Sequence, residues 1–209
     1  MAWTGTEGFE SYAINDNIAG KSGGSGWSGN WGDPGSTYGT VKATPSGGEG
    51  SNALYFTGSW VERAVSVSSG EVSFMMQCSA VSGNDIVGSY IGDAGGIAKI
   101  IIRAGVVSGV IDSYNSTTSQ YEQVSTLAAD TWYTIKIKFG HVANKFAVSI
   151  NGGAYGADKG TNGNFTTITR FSLWDTATNN RGYFDDIKNG AAAEPSVSPS
   201  IISDLIIYN

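Results

Sequence analysis

The sequence predicts an all-β fold: a single antiparallel β-sandwich of the jelly-roll kind over residues 1–190, with an extended C-terminal arm over 191–209. Three observations carry this. Apolar residues recur with a period of two in one segment after another, while helical periodicity is hard to find. The segments are short and separated by turns rich in glycine, of which there are 30. Hydrophobic residues make up 40% of the 209 and aromatics 11%, enough for one sizeable core despite an abundance of small polar residues.

The strands follow in order. A first is expected over 7–12, and then comes a glycine-rich stretch, GWSGNWGDPGSTYGT (26–40), with three aromatics in it. Strands are expected next at 52–57, 60–67 and 71–78; in the last, Val72, Phe74, Met76 and Cys78 share one face. Further strands fall at 86–91, 97–103, 106–113 and 121–126. In WYTIKIKF (132–139), Tyr133, Ile135, Ile137 and Phe139 face one way and Thr134, Lys136 and Lys138 the other, the pattern of a half-buried strand. KFAVSING (145–152) turns Phe146, Val148 and Ile150 inward, and the HVAN connection with Asn144 makes the two a hairpin. The series closes at 166–174 and 182–188.

From Gly190 the character changes. Pro195 and Pro199 oppose helix and strand interior alike, so the stretch reads as an extended linker. The terminal IISDLIIYN carries Ile201, Ile202, Leu205, Ile206, Ile207 and Tyr208, which need a partner surface. Two are open: the chain's own sandwich, or a neighbouring chain gripped by strand addition.

Composition excludes several classes. A net charge of -6 and a pI near 4.6 oppose nucleic acid as a partner, since phosphate backbones require clustered Lys and Arg. Cys78 is the only cysteine, so no internal disulfide forms, and its place on an apolar face reads as a buried, inert thiol. Met1 leads into AWTGTEGFESY without a basic start or an apolar run, so no secretory signal is expected. The longest apolar stretch, 97–111, is broken by Lys99, Arg103 and two glycines and falls short of a membrane span, so no membrane partner is expected.

The opening GFESY, the block LAADTWYTIKIKF with KFAVSING, and the closing ITRFSLWD with RGYFDDIKN together resemble the concanavalin A-like lectin/glucanase superfamily, including its laminin G-like members. Trp132, Tyr133 and the Asn151-Gly152 turn match the family's middle block, and Asp185, Asp186 and Ile187 its last strand. The resemblance implies that the first and last strands are neighbours, with 7–12 near 183–188. It also implies that one structural calcium could sit at their junction, with Glu10 and Asp185 among its oxygen ligands and no other cofactor. The alternative is that Asp185 and Asp186 only hydrogen-bond a nearby turn.

The family's catalytic patterns are missing. The laminarinase-type E-x-D-x-x-E does not occur; the seven glutamates, at 7, 10, 49, 62, 71, 122 and 194, are scattered. The lyase-type Gln-x-His is absent, Gln77 being followed by Cys78 and Ser79, and His141 has no companion for triad chemistry. The chain is therefore expected not to be an enzyme. For binding, Trp27, Trp31 and Tyr38, with Asn30 and Asp33 beside them, could form an aromatic platform for sugar rings; the alternative is that they are plugs tying the loop to the core. Trp60 and Trp174 read as core or sheet-surface residues. Lys136 and Lys138, with Lys99 and Arg103, could line a face for an anionic glycan or be plain solvated charges.

The reading of function that follows is a non-catalytic structural or adhesion protein on a virion surface, a bacteriophage capsid decoration or tail component. Its partners would be other virion proteins or copies of itself through the arm, with cell-surface glycan as a further ligand. The alternative is a carbohydrate-binding module of a secreted glycan-active enzyme, and a third reading is a degraded or unrecognised glycan hydrolase or lyase.

Overall fold

The computed structural model describes residues 5–27, 29–32, 39–56, 58, 60–79, 87–93, 98–105, 109–175 and 182–190. In chain order the strands are β1 (Gly5–Glu7), β2 (Trp31–Gly32), β3 (Thr40–Ala43), β4 (Asn52–Phe56), β5 (Trp60–Val67), β6 (Gly70–Cys78), β7 (Val87–Gly92) and β8 (Ala98–Ala104). They continue with β9 (Val110–Asn115), β10 (Gln120–Thr126), β11 (Trp132–Phe139), β12 (Lys145–Ile150), β13 (Lys159–Gly160), β14 (Ile168–Asp175) and β15 (Gly182–Gly190).

Two antiparallel sheets pack face to face as a jelly-roll sandwich. The first runs β13-β12-β11-β6-β15-β4-β3 with β1 also on β15, and the second runs β10-β9-β8-β7-β14-β5-β2. The inner faces carry the alternating apolar residues, and Phe74 of the first sheet meets Phe171 of the second with ring centroids 5.9 Å apart. Each such fully buried side chain contributes about 1.5–3 kcal/mol. Positive φ at Asn144 (57°) and Asn151 (51°) closes the turns at the two ends of β12, a conformation asparagine tolerates better than most residues.

First and last strands are neighbours, with Glu7 opposite Ile187, but β1 covers 5–7 rather than 7–12. The chain leaves the strand at Phe9, whose φ is +59°. Phe9 N and Tyr12 Oη both donate to the Glu7 carboxylate, and this side-chain cap competes with sheet pairing. β2, β3 and β13 were not anticipated; two of them are two residues long and all three are too short to show periodicity. The arm residues Ile201, Ile202, Leu205, Ile206, Ile207 and Tyr208 lie outside the described residues.

The sheets are stitched by a buried ion pair that the sequence does not advertise. Arg63 on β5 donates from Nη1 to Glu7 Oε2 on β1 across 2.9 Å, with both residues 2% exposed. Tyr12 Oη and Trp31 Nε1 donate to the same oxygen at 3.0 and 3.3 Å, and Arg63 Nε donates to Gly29 O. Burial, then the Glu7 charge, pushes the Tyr12 phenol up to about 12.

Candidate functional site

Trp27 and Trp31 of the 26–40 stretch turn toward the core. Trp31 is 1% exposed, its ring 6.1 Å from that of Phe9. Half-buried Trp27 packs on Trp31 and Phe171 at 6.1 and 6.2 Å, under the Arg63 guanidinium at 4.8 Å. Trp31 presents no ring face to solvent, so the platform expectation is corrected for it, while Trp27 is half-buried and packed against the core. Asn30 is exposed, and Tyr38 and Asp33 lie outside the described residues.

Aromatics do face outward elsewhere, on the second sheet. Strand register places Trp60, Trp174, Gly88, Arg103, Asp112 and Gln123 in one row across β5, β14, β7, β8, β9 and β10. The next row runs Glu62, Ser172, Tyr90 and Ile101, and Tyr114 and Tyr121 are opposite each other beyond the Ile102–Ser113 pair. These positions alternate with the core residues Val61, Leu173, Phe171, Ile100, Ile102 and Ile111, so pleating alone sends them outward. Trp60 and Tyr90 are 5.7 Å apart, Tyr114 and Tyr121 5.2 Å.

Between the two aromatic groups lies a depression of about 310 Å³ lined by Tyr90, Ala98, Ile101, Arg103, Tyr121 and Trp174. Beside it, Gly88 has no room for a side chain: a Cβ there would collide with Ile102 O and stand 3.2 Å from Trp174 Cε2 and Nε1. Trp174 Nε1 has no hydrogen-bond partner among the described residues. Arg103 lies over the Tyr121 ring at 3.1 Å and is forked onto Asp112 by Nε and Nη2 at 2.9 and 2.8 Å. Arg170 pairs with Glu62 at 3.3 Å. Burial holds the Tyr90 phenol above its ordinary pKa, keeping it a donor. Flat apolar rings flanked by fixed polar groups suit a ligand with C–H faces and hydroxyl edges.

Glu62 and Asp112 stand four strands apart, about 19 Å at the usual strand spacing. That is beyond the reach of a carboxyl pair on one glycosidic bond, for which about 5–9.5 Å is needed. Segments 80–86, 94–97 and 176–181, which lead into or out of β7, β8 and β14 of this sheet, lie outside the described residues.

The expected anionic-glycan residues do not share a face. Lys136 and Lys138 stand on the first sheet, beside Glu71 at 3.9 Å and over the Tyr155 ring at 4.9 Å. Lys99 and Arg103 belong to the second sheet, with Lys99 on Asp93 at 3.2 Å. His141 bonds Asp158 at 2.7 Å, and burial, helped by Asp175, pushes the Cys78 thiol up to about 12.

Glu10 and Asp185 do approach each other. Asp185 is fully buried and accepts from Asp186 N at Oδ1, with the Glu49 backbone also acting on its carboxyl, while Oδ2 meets no close hydrogen-bond donor among the described residues. Burial, reinforced by the Asp186 and Glu10 charges, raises its carboxyl to about 7. Glu10 Oε1 accepts from Ser51 N and Asn52 N at 2.8 Å each. No group of three or more His, Cys, Asp or Glu side chains is gathered among the described residues, so a cation here would rely on backbone carbonyls as well.

Neither a protein-family model nor a curated protein matches the chain. Solved structures do. The β-glucanase of Bacillus licheniformis superposes with a TM-score of 0.57 at 13% identity, over 90% of this chain and 98% of its own. The Crh5 transglycosylase gives 0.58 at 13% identity, over 92% and 85%. The fold is the concanavalin A-like jelly roll. A sialidase is also similar, with a TM-score of 0.61 at 13% identity over 78% of the chain, which spans 17% of that protein's length.

This jelly roll corrects the expectation that the chain is not an enzyme. That expectation rested on missing linear motifs, and a β-glucanase and a transglycosylase share the fold over nearly the whole chain. Different strands can bring carboxylates to one face without any motif along the chain. Nothing in these structures points to a virion role, and the capsid-decoration and tail readings gain no support from them. No helix among the described residues is long and apolar enough to cross a membrane.

Proposed function

We propose that the chain is a carbohydrate-recognising module of extracellular glycan-active machinery, taking its ligand on the outer face of the second sheet. The observation that carries the reading is the depression between Trp174, Tyr90 and Tyr121, whose aromatic walls and anchored Arg103 match the two-sided chemistry of a sugar ring. A glycan-acting β-glucanase and transglycosylase on the same fold are consistent with it.

Affinity electrophoresis against soluble polysaccharides tests this. Trp174→Ala and Tyr121→Ala should each weaken retention about tenfold, since one lost stacking contact is worth about 1–1.5 kcal/mol. Circular dichroism should stay unchanged. Retention that survives both substitutions would sink the reading. Assay of the same preparations for new reducing ends reads whether the face also cleaves what it holds.

A second, structural reading concerns calcium at the β1/β15 junction, favoured by Asp185 Oδ2, which meets no close donor among the described residues. Glu10, exposed, and Asp185, buried, would supply the carboxylate oxygens, and the ion would neutralise the buried Asp185 charge. Its test is a rise in melting temperature on adding Ca²⁺, lost in Asp185→Asn.

A further inference from the structure

We infer that the ligand of the second sheet's outer face is an uncharged, hydroxyl-rich glycan and not a polyuronate or a sulfated chain. This rests on the glycan reading above and sharpens it.

The charges around the depression cancel in pairs. Arg103 is forked by Asp112, Arg170 is held by Glu62, and Lys99, 6% exposed, is spent on Asp93. Three cations thus meet three carboxylates among the described residues, leaving no net positive potential to attract an anion. The surrounding field is also unfavourable, because the chain carries a net charge of -6.

Pairing still leaves donors available. A guanidinium has five N–H groups, and Arg103 commits Nε and Nη2 to Asp112, so the Nη1 donors can serve neutral acceptors such as sugar hydroxyls. Asp112 would meet an arriving uronate as a like charge beside the one cation it could use. Tyr121 under the guanidinium fixes the fork in place, so Arg103 cannot turn to an anion without losing both contacts.

Wild-type protein is run against mixed-linkage β-glucan, xyloglucan and galactomannan, and against polygalacturonate and alginate, at about 20 and 500 mM NaCl, salt levels that span weak and strong screening. The expected result is retention by at least one uncharged polymer with less than about twofold dependence on salt, and at least about tenfold weaker retention by both acidic polymers at low salt. Asp112→Asn and Glu62→Gln each release one arginine. Each should raise polygalacturonate retention by about fivefold at low salt, a gain abolished at high salt. Acidic retention by the wild type that equals the neutral and disappears in Trp174→Ala would overturn the charge inference and keep the glycan face. Failure of both carboxylate variants to gain acidic binding would overturn it too, and retention by no polymer would remove the glycan reading itself.

Discussion

Arg63 and Glu7 form a buried ion pair at 2.9 Å that joins β5 of one sheet to β1 of the other, and the same carboxylate caps the turn at Phe9 and receives Tyr12 and Trp31. Removing one partner leaves the other charge uncompensated in the interior, at a cost of about 3–5 kcal/mol. Arg63→Ala should therefore lower unfolding stability by that amount in urea titrations. Arg63→Met combined with Glu7→Gln should lose markedly less than the sum of the two single changes.

Trp31 is a core residue on the two-residue strand β2. Trp31→Ala should cost about 3–5 kcal/mol in the same titration, the usual range for deleting a buried large aromatic. Trp31→Phe should keep polysaccharide retention at the wild-type level. A large loss of retention from Trp31→Phe with stability intact would return the loop to the list of ligand surfaces.

Asp185 makes stability depend on pH. Its carboxyl is raised from 3.8 to about 7, so the native state holds a proton that the unfolded chain releases near 4. Stability should fall as pH rises from about 4 to about 7 and then level off. Asp185→Asn should flatten that slope and be the more stable protein above pH 7 without calcium. Thermal melts across this range, with and without Ca²⁺, read both effects.

Glu122 should titrate at the opposite extreme. Lys159, then Thr118 and Asn115, hydrogen-bond its carboxylate and lower it from 4.5 to about 2, so what this cluster contributes is present above about pH 4.5 and lost as pH falls toward 2. Carboxyl-resolved NMR titration should place its midpoint near 2, and Lys159→Met should move it back toward 4.5.

Much of the sandwich was legible along the chain because pleating converts sequence order directly into facing. Tyr133, Ile135, Ile137 and Phe139 alternate in sequence and are all buried in the structure, and the hairpin at Asn144 needed only its turn residue. Short-range rules failed where a side chain outcompeted the ladder, as Glu7 does in bending residues 8–12 away from β1.

The site was not legible. Trp174, Tyr90, Arg103, Asp112 and Tyr121 come from five strands spread over 90–174, and an outward aromatic in a strand looks the same whether it stands alone or beside four others. The period-two signal left Trp174 open between core and sheet surface, and it carries no information about which strands are neighbours. By itself, then, the sequence determined an all-β chain with alternating faces, a negative field and no basic surface for nucleic acid. Tertiary structure alone decided that the loop tryptophans are anchors, that Glu7 finds Arg63, and that distant aromatics gather on one face, because strand order and register come from pairing between segments far apart in the chain.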